Sequence, residues 1–197
     1  MSILPAPLIA ALAFSAFALS QDCEALKFAS AADAVNYLDV RQDPTAECVN
    51  AAFQLIQRLP QEDAIPILIK HLGYKRPHTG AENLGFYIHG PLPWLLYPAV
   101  EALYSVGLPA EPALIDGISR IEDNDSIDRA NALYALILIH HSSILPLIRT
   151  MHQRSLSLRG TPSHDRLESA ILELKGRYCY GKLKQECEKA LASTVPN

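Results

Sequence analysis

The chain lacks most of the signatures by which a sequence declares its chemistry. Lys and Arg number 17 against 21 Asp and Glu, a net charge of -4 with a pI near 5.9. They are scattered, apart from Lys75-Arg76. A phosphate backbone needs a basic face, so no nucleic-acid partner is expected. No alternating strand pattern of any length occurs, which argues against a sheet. There is no C-x-x-C and no H-E-x-x-H, and the pairs His78/His89 and His140/His141, with His152 one helix away, come without paired carboxylates; no metal is expected. Nucleophile elbow, phosphate-cradling Gly loop and recognisable catalytic dyad are all missing, so neither an enzyme nor a cofactor is expected. The acidic stretch Glu122-Asp123-Asn124-Asp125-Ser126-Ile127-Asp128 fails as a calcium loop, because Ile127 takes a ligand position and no glycine follows. It reads instead as a helix start capped by Asn124 or Asp125.

Charge is also missing from the first twenty residues, MSILPAPLIAALAFSAFALS. Leu8 to Leu19 is almost wholly apolar, too short for a comfortable membrane span, and ends in Ala18-Leu19-Ser20 with small residues where a signal peptidase requires them. Residues 1–20 are therefore expected to be a signal peptide, although the stretch before Leu8 lacks the usual Lys or Arg. Cleavage after Ser20 would leave a secreted or periplasmic chain with no stable membrane span. It would form a single all-α domain over 21–192 and a frayed tail over 193–197.

What the sequence does contain is apolar residues, 49% of the total, enough for one sizeable core. All four cysteines, Cys23, Cys48, Cys179 and Cys187, follow the expected cleavage site. An even count in an exported chain points to two disulfides, and sequence proximity favours Cys23–Cys48 and Cys179–Cys187. The second pairing makes a demand. Residues eight apart on an unbroken helix are separated by about 12 Å, beyond the roughly 7 Å a disulfide spans, so the helix has to stop at Tyr180-Gly181.

Apolar spacing predicts a short helix over Ala31–Val40 with Ser30 as cap, then Ala46–Leu59 after a Thr45 cap, and Glu62–Leu72. Gly73–Pro93 has four glycines, three prolines and no helical period, and reads as a long inserted loop. Further helices are predicted from Pro93/Trp94 to Val106, Pro109 to Ile121, Ile127 to His140, Ile144 to Leu156 (capped by Ser142 or Ser143), His164 to Tyr178, and from Gly181 to Leu191. These group into antiparallel pairs. Ala102-Leu103-Tyr104 recurs thirty residues on as Ala132-Leu133-Tyr134, and the second helices carry Leu68-Ile69, Leu114-Ile115 and Leu147-Ile148, each closely preceded by a proline, Pro66, Pro112 or Pro146. A proline one turn into a helix is tolerated, because first-turn amides lack intrahelical partners.

Ala99–Ile115, AVEALYSVGLPAEPALI, resembles a HEAT or HEAT-like repeat, with Gly107, Ala110, Pro112, Leu114 and Ile115 matching its corner and second helix. The likeness extends more loosely over Ala46–Leu156 without the loop. It implies a short α-solenoid of helix pairs that binds a protein partner along its surface, and supplies no catalytic residues. A plain all-α bundle is the other architecture compatible with these helices.

Insertions between repeats fall on one face, often the binding face. The loop and its flanks hold Lys75, Arg76, His78, Tyr87, His89 and Trp94, a set able to grip an anionic group and offer flat aromatic contacts. The leading expectation is thus an exported interaction module that binds through its helical surface and the 73–93 loop. The alternative is a small ligand-binding or hydrolase-like protein with a pocket between that loop and the helix starting at Trp94.

Overall fold

The computed structural model describes residues 28–40, 44–77, 96–122 and 126–192. The expected signal peptide, Cys23, His78, Tyr87, His89, Trp94 and the 193–197 tail lie outside them. Among the described residues the secondary structure is entirely helical. Nine α-helices follow in order: α1 (Ala31–Val40), α2 (Ala46–Gln57), α3 (Gln61–Lys70), α4 (Pro98–Val106), α5 (Glu111–Arg120), α6 (Ile127–Ile139), α7 (Leu145–Ser157), α8 (Pro162–Tyr178) and α9 (Lys182–Ala192). A 3-10 turn, Leu108–Ala110, joins α4 to α5.

Local chemistry sets most of the helix starts. Ser30 Oγ accepts from the Asp33 amide at 3.2 Å and donates to the Asp33 carboxylate at 2.8 Å. Thr45 Oγ1 accepts from the Cys48 amide, as expected. Four expectations are corrected. The helix predicted from Pro93/Trp94 to Val106 is interrupted at Tyr97, and α4 starts at Pro98, because the residue before a proline is pushed out of the helical region and Tyr97 is extended; Leu96 is helical and residues 93–95 lie outside the described ones. The cap of α6 is Ser126, whose side chain accepts from the Arg129 amide, rather than Asn124 or Asp125. Ile144 precedes α7 without a side-chain cap, so Ser142 and Ser143 do not serve. Helix α8 begins at Pro162 rather than His164, since Thr161 caps it and proline suits the first helical position. Pro112 and Pro146 sit near their helix starts, but Pro66 lies inside α3. It is exposed, as is Glu62 one turn before, so the carbonyl freed by the missing amide faces water.

The repeated residues occupy matching places. Ala102, Leu103, Ala132 and Leu133 are buried, and α4 packs on α6. Leu68, Leu114, Ile115, Leu147 and Ile148 are buried in the second helices of successive pairs. The first helices α2, α4 and α6 lie side by side, and α3 lies beside both α4 and α5. Toward the C-terminus this rhythm changes: α8 packs against α5 and α7 together, and α9 against α7. One apolar core runs through all of these helices.

The corner after α4 depends on glycine. Gly107 has φ 76° and ψ -146°, a region closed to side-chain-bearing residues, and its amide donates to Leu103 O at 3.0 Å. An added Cβ would meet nothing within 4 Å, so the penalty for one is conformational only. Gly107→Ala is expected to cost about 1–3 kcal/mol in urea unfolding. Gly176→Ala, where a Cβ inside α8 also meets open space, is expected to add about 0.5–1 kcal/mol instead. Equal effects of the two variants would show that the Gly107 backbone carries no strain for other residues.

Polar side chains fasten the helices to one another. Lys70 Nζ donates to Asp39 Oδ2 at 2.7 Å, and His71 Nε2 lies 3.0 Å from Oδ1, joining the end of α3 to α1. The hydrogen bond from Lys70, and next that from His71, hold the Asp39 carboxyl below its ordinary 3.8. A depressed carboxylate contributes stability above its unfolded value and loses it as pH falls through the folded one. The stability gap between the wild type and Asp39→Asn is therefore expected to persist above about pH 5 and close as pH drops below about 3. Guanidinium titrations at fixed pH values check this; a gap that widens in acid would reverse the assignment.

Candidate functional site

The chain leaves α3 under tight control. Asn131 Nδ2, buried in α6, donates to Leu72 O at 2.7 Å and fixes the exit. Gly73 comes next, where a Cβ would collide with the Asp128 carboxylate. The Tyr74 ring then packs against Phe53 and His71, with ring centroids 6.0 and 6.4 Å away. Burial, followed by proximity to Tyr37, pushes the Tyr74 phenol above its ordinary 10.0. Two residues later the Arg76 amide donates to Leu96 O at 2.7 Å. The two ends of the 78–95 segment are thereby tied together.

That tie aims Arg76 into a cavity of about 290 Å³ lined by Asn50, Phe53, Gln54 and Gln57 of α2 and by Pro98 and Glu101 of α4. Arg76 Nη2 donates to Glu101 Oε2 at 3.3 Å; the guanidinium is 18% exposed and the carboxylate 54%. Phe53 and Pro98 are buried and give the cavity an apolar floor, while the three carboxamides of α2 stand along one side. The Asn50 Oδ1 atom is buried and has no hydrogen-bond partner. Arranged so, the cavity offers dipoles of both senses and a self-neutralising ion pair, and thus suits a polar ligand of low net charge.

Of the six loop residues singled out in the sequence, Arg76 reaches this cavity and Lys75 is exposed outside its lining. His78, Tyr87, His89 and Trp94 lie outside the described residues. His71, also in that neighbourhood, is buried and used structurally: its Nδ1 bonds Ile67 O at 2.8 Å and its Nε2 the Asp39 carboxylate. The carboxamides and Glu101 were missed. The signal for them was present: Asn50, Gln54 and Gln57 recur at i, i+4 and i+7, opposite the apolar stripe of α2.

Two other clusters hold helices rather than ligands. Ser155 Oγ donates to Glu168 Oε1 at 2.6 Å and lies 2.7 Å from His164 Nδ1, which also faces Ser155 O at 3.0 Å. A carbonyl only accepts, so Nδ1 carries a proton and does not serve Ser155 as a base. Ser155 is fully buried as well, so the group clasps α7 to α8. His140 Nε2 meets Glu111 Oε2 at 3.0 Å, with both side chains largely covered, and closes α6 onto the start of α5.

The cysteines follow the expected pattern where they are described. Cys179 and Cys187 form a disulfide with a Cα–Cα distance of 6.1 Å, and α8 stops at Tyr178 as that pairing required. Cys48 is also disulfide-bonded; its expected partner Cys23 lies outside the described residues. No helix among the described residues is long and apolar enough to cross a membrane. Comparison with models of known protein families, with characterised proteins and with solved structures yields no match to this chain.

Proposed function

We propose that the chain is an exported helical-repeat module of the HEAT-like kind, which docks a protein partner on the face shared by α2 and α4. The observation that carries this reading is the position of the polar cavity. It opens between the first helices of two successive pairs, beside the foot of the inserted loop, where a stacked-pair architecture presents its surface. The side-by-side placement of α2, α4 and α6, with α3 against α5, supports a short solenoid. The glycine corner at Gly107 supports the repeat resemblance. Disulfide-bonded cysteines fit an oxidising, exported compartment. Arg76 and Glu101 serve as the charged rim of the docking face, and the carboxamides of α2 as its adaptable contacts.

Co-purification from the host, comparing the wild-type chain with the Arg76→Ala/Glu101→Ala variant, tests the placement. The variant is expected to keep its urea midpoint and to lose the co-purifying partner. An unchanged partner set would move the docking face elsewhere. The cavity also lies near the lower end of small-molecule pocket sizes, and that favours a second reading in which a small polar ligand fills it.

A further inference from the structure

The cavity narrows what can dock in it. A single turn of α-helix with its side chains, about 10 Å across and 5.4 Å long, occupies roughly 400 Å³, more than the cavity's space of about 290 Å³. A free anion or cation finds little advantage, because Arg76 and Glu101 already neutralise each other at 3.3 Å. What remains unspent is amide chemistry. Among the described residues no hydrogen bond engages the carboxamides of Asn50, Gln54 or Gln57, and Asn50 Oδ1 is buried without a donor. A buried acceptor left unpaired costs about 1–3 kcal/mol, which favours a turn of the Asn50 side chain that brings Oδ1 to the cavity surface to meet a ligand N–H.

Spacing supplies the second constraint. A rise of 1.5 Å per residue sets Asn50 and Gln54 about 6 Å apart along α2, with Gln57 roughly 4.5 Å beyond. An extended chain repeats same-side main-chain groups every two residues, about 6.6 Å. Carboxamides carry a donor and an acceptor each, and so match both the N–H and the C=O of a peptide unit.

Resting on the docking face proposed above, we infer that the cavity takes an extended, uncharged peptide segment of about three residues, lying along α2 and held through its main-chain amides by Asn50, Gln54 and Gln57. The ring of Phe53 and the Pro98 side chain form the apolar floor beneath it. Recognition of this kind depends little on the partner's side chains, which would be selected elsewhere on the face.

Titration of the full chain with N-acetyl-trialanine N-methylamide, followed by ¹H–¹⁵N correlation spectra, tests the assignment. The peptide has no charge and no polar side chain. Saturable shifts are expected in the α2 amides and in the side-chain NH₂ resonances of Asn50, Gln54 and Gln57. Gln54→Ala/Gln57→Ala replaces two exposed residues by a better helix former, so the fold is retained. Two lost neutral hydrogen bonds should weaken the peptide roughly tenfold. Three results would overturn the inference: no saturable shift, equal affinity in the double variant, or the same shifts with free glycine, which would assign the cavity to a small zwitterion. Failure of the docking face looks different, because peptide shifts would persist while Arg76→Ala/Glu101→Ala left the co-purified partner in place.

Discussion

Leu114→Ala is expected to lower the unfolding free energy by about 2–5 kcal/mol, the range found when a fully buried leucine leaves a cavity its neighbours only partly refill. Leu114 has no exposed surface, and it sits in α5, which packs against α3, α6 and α8. Neighbours on three sides leave little room for collapse into the vacated space, which places the cost toward the upper part of the range. In a domain of this size the midpoint of thermal unfolding should fall by roughly 4–20 °C. Leu172→Ala in α8 removes the same atoms from a side chain 63% exposed and should change stability by less than about 0.5 kcal/mol. Calorimetry of the two variants decides the matter. Similar midpoints would mean that α5 is not the element around which the core closes.

Helix α5 itself was legible because its apolar residues recur at helical spacing and Gly107 stops the helix before it, whereas its central place comes from packing. Where the signal is local, the sequence reading and the structure agree: Ser30 and Thr45 cap their helices, and the chain is non-helical at Tyr180-Gly181, between α8 and α9, so that Cys179 can reach Cys187. Helix starts went astray where two local signals competed. At Thr161-Pro162 the proline reads as a breaker, yet the same residue is favoured at a first helical position once Thr161 has capped the turn. At Tyr97-Pro98 the apolar run invites an early start, but the proline forces the preceding residue out of the helix.

Long-range pairs left no such trace. Asn131 meets Leu72 O across 59 residues, His71 meets Asp39 across 32 and His140 meets Glu111 across 29. Nothing in the neighbourhood of either partner marks the other, because the meeting is decided by helix packing. The candidate site shows the same divide. Arg76 stood out as half of the one basic pair, whereas Glu101 reads as an ordinary solvated position until α4 is laid beside α2. The histidines illustrate the converse, since a residue type suited to chemistry was used at three places, His71, His140 and His164, to fasten helices.

Loss of the disulfide should act on one helix rather than on the whole domain. In Cys179→Ala/Cys187→Ala the eight-residue loop loses its covalent closure, which a chain-entropy treatment values at about 2–3 kcal/mol. What remains to hold α9 is slight: Cys187 and Ala190 are its buried residues, and α7 is its principal packing neighbour. Eleven residues are too few for a stable isolated helix in water. Once untethered, α9 is expected to open locally about 30- to 150-fold more often, the equivalent of those 2–3 kcal/mol. The helices from α2 to α6 share no contact of substance with it and should keep their protection. Amide exchange measured by mass spectrometry resolves the two regions. Fast exchange confined to 182–192, with a nearly unchanged global midpoint, is the expected pattern. A uniform loss of protection through α5 and α6 would instead make the C-terminal staple part of the cooperative core, and α9 would then have to be counted among the elements that support the α2–α4 face from behind.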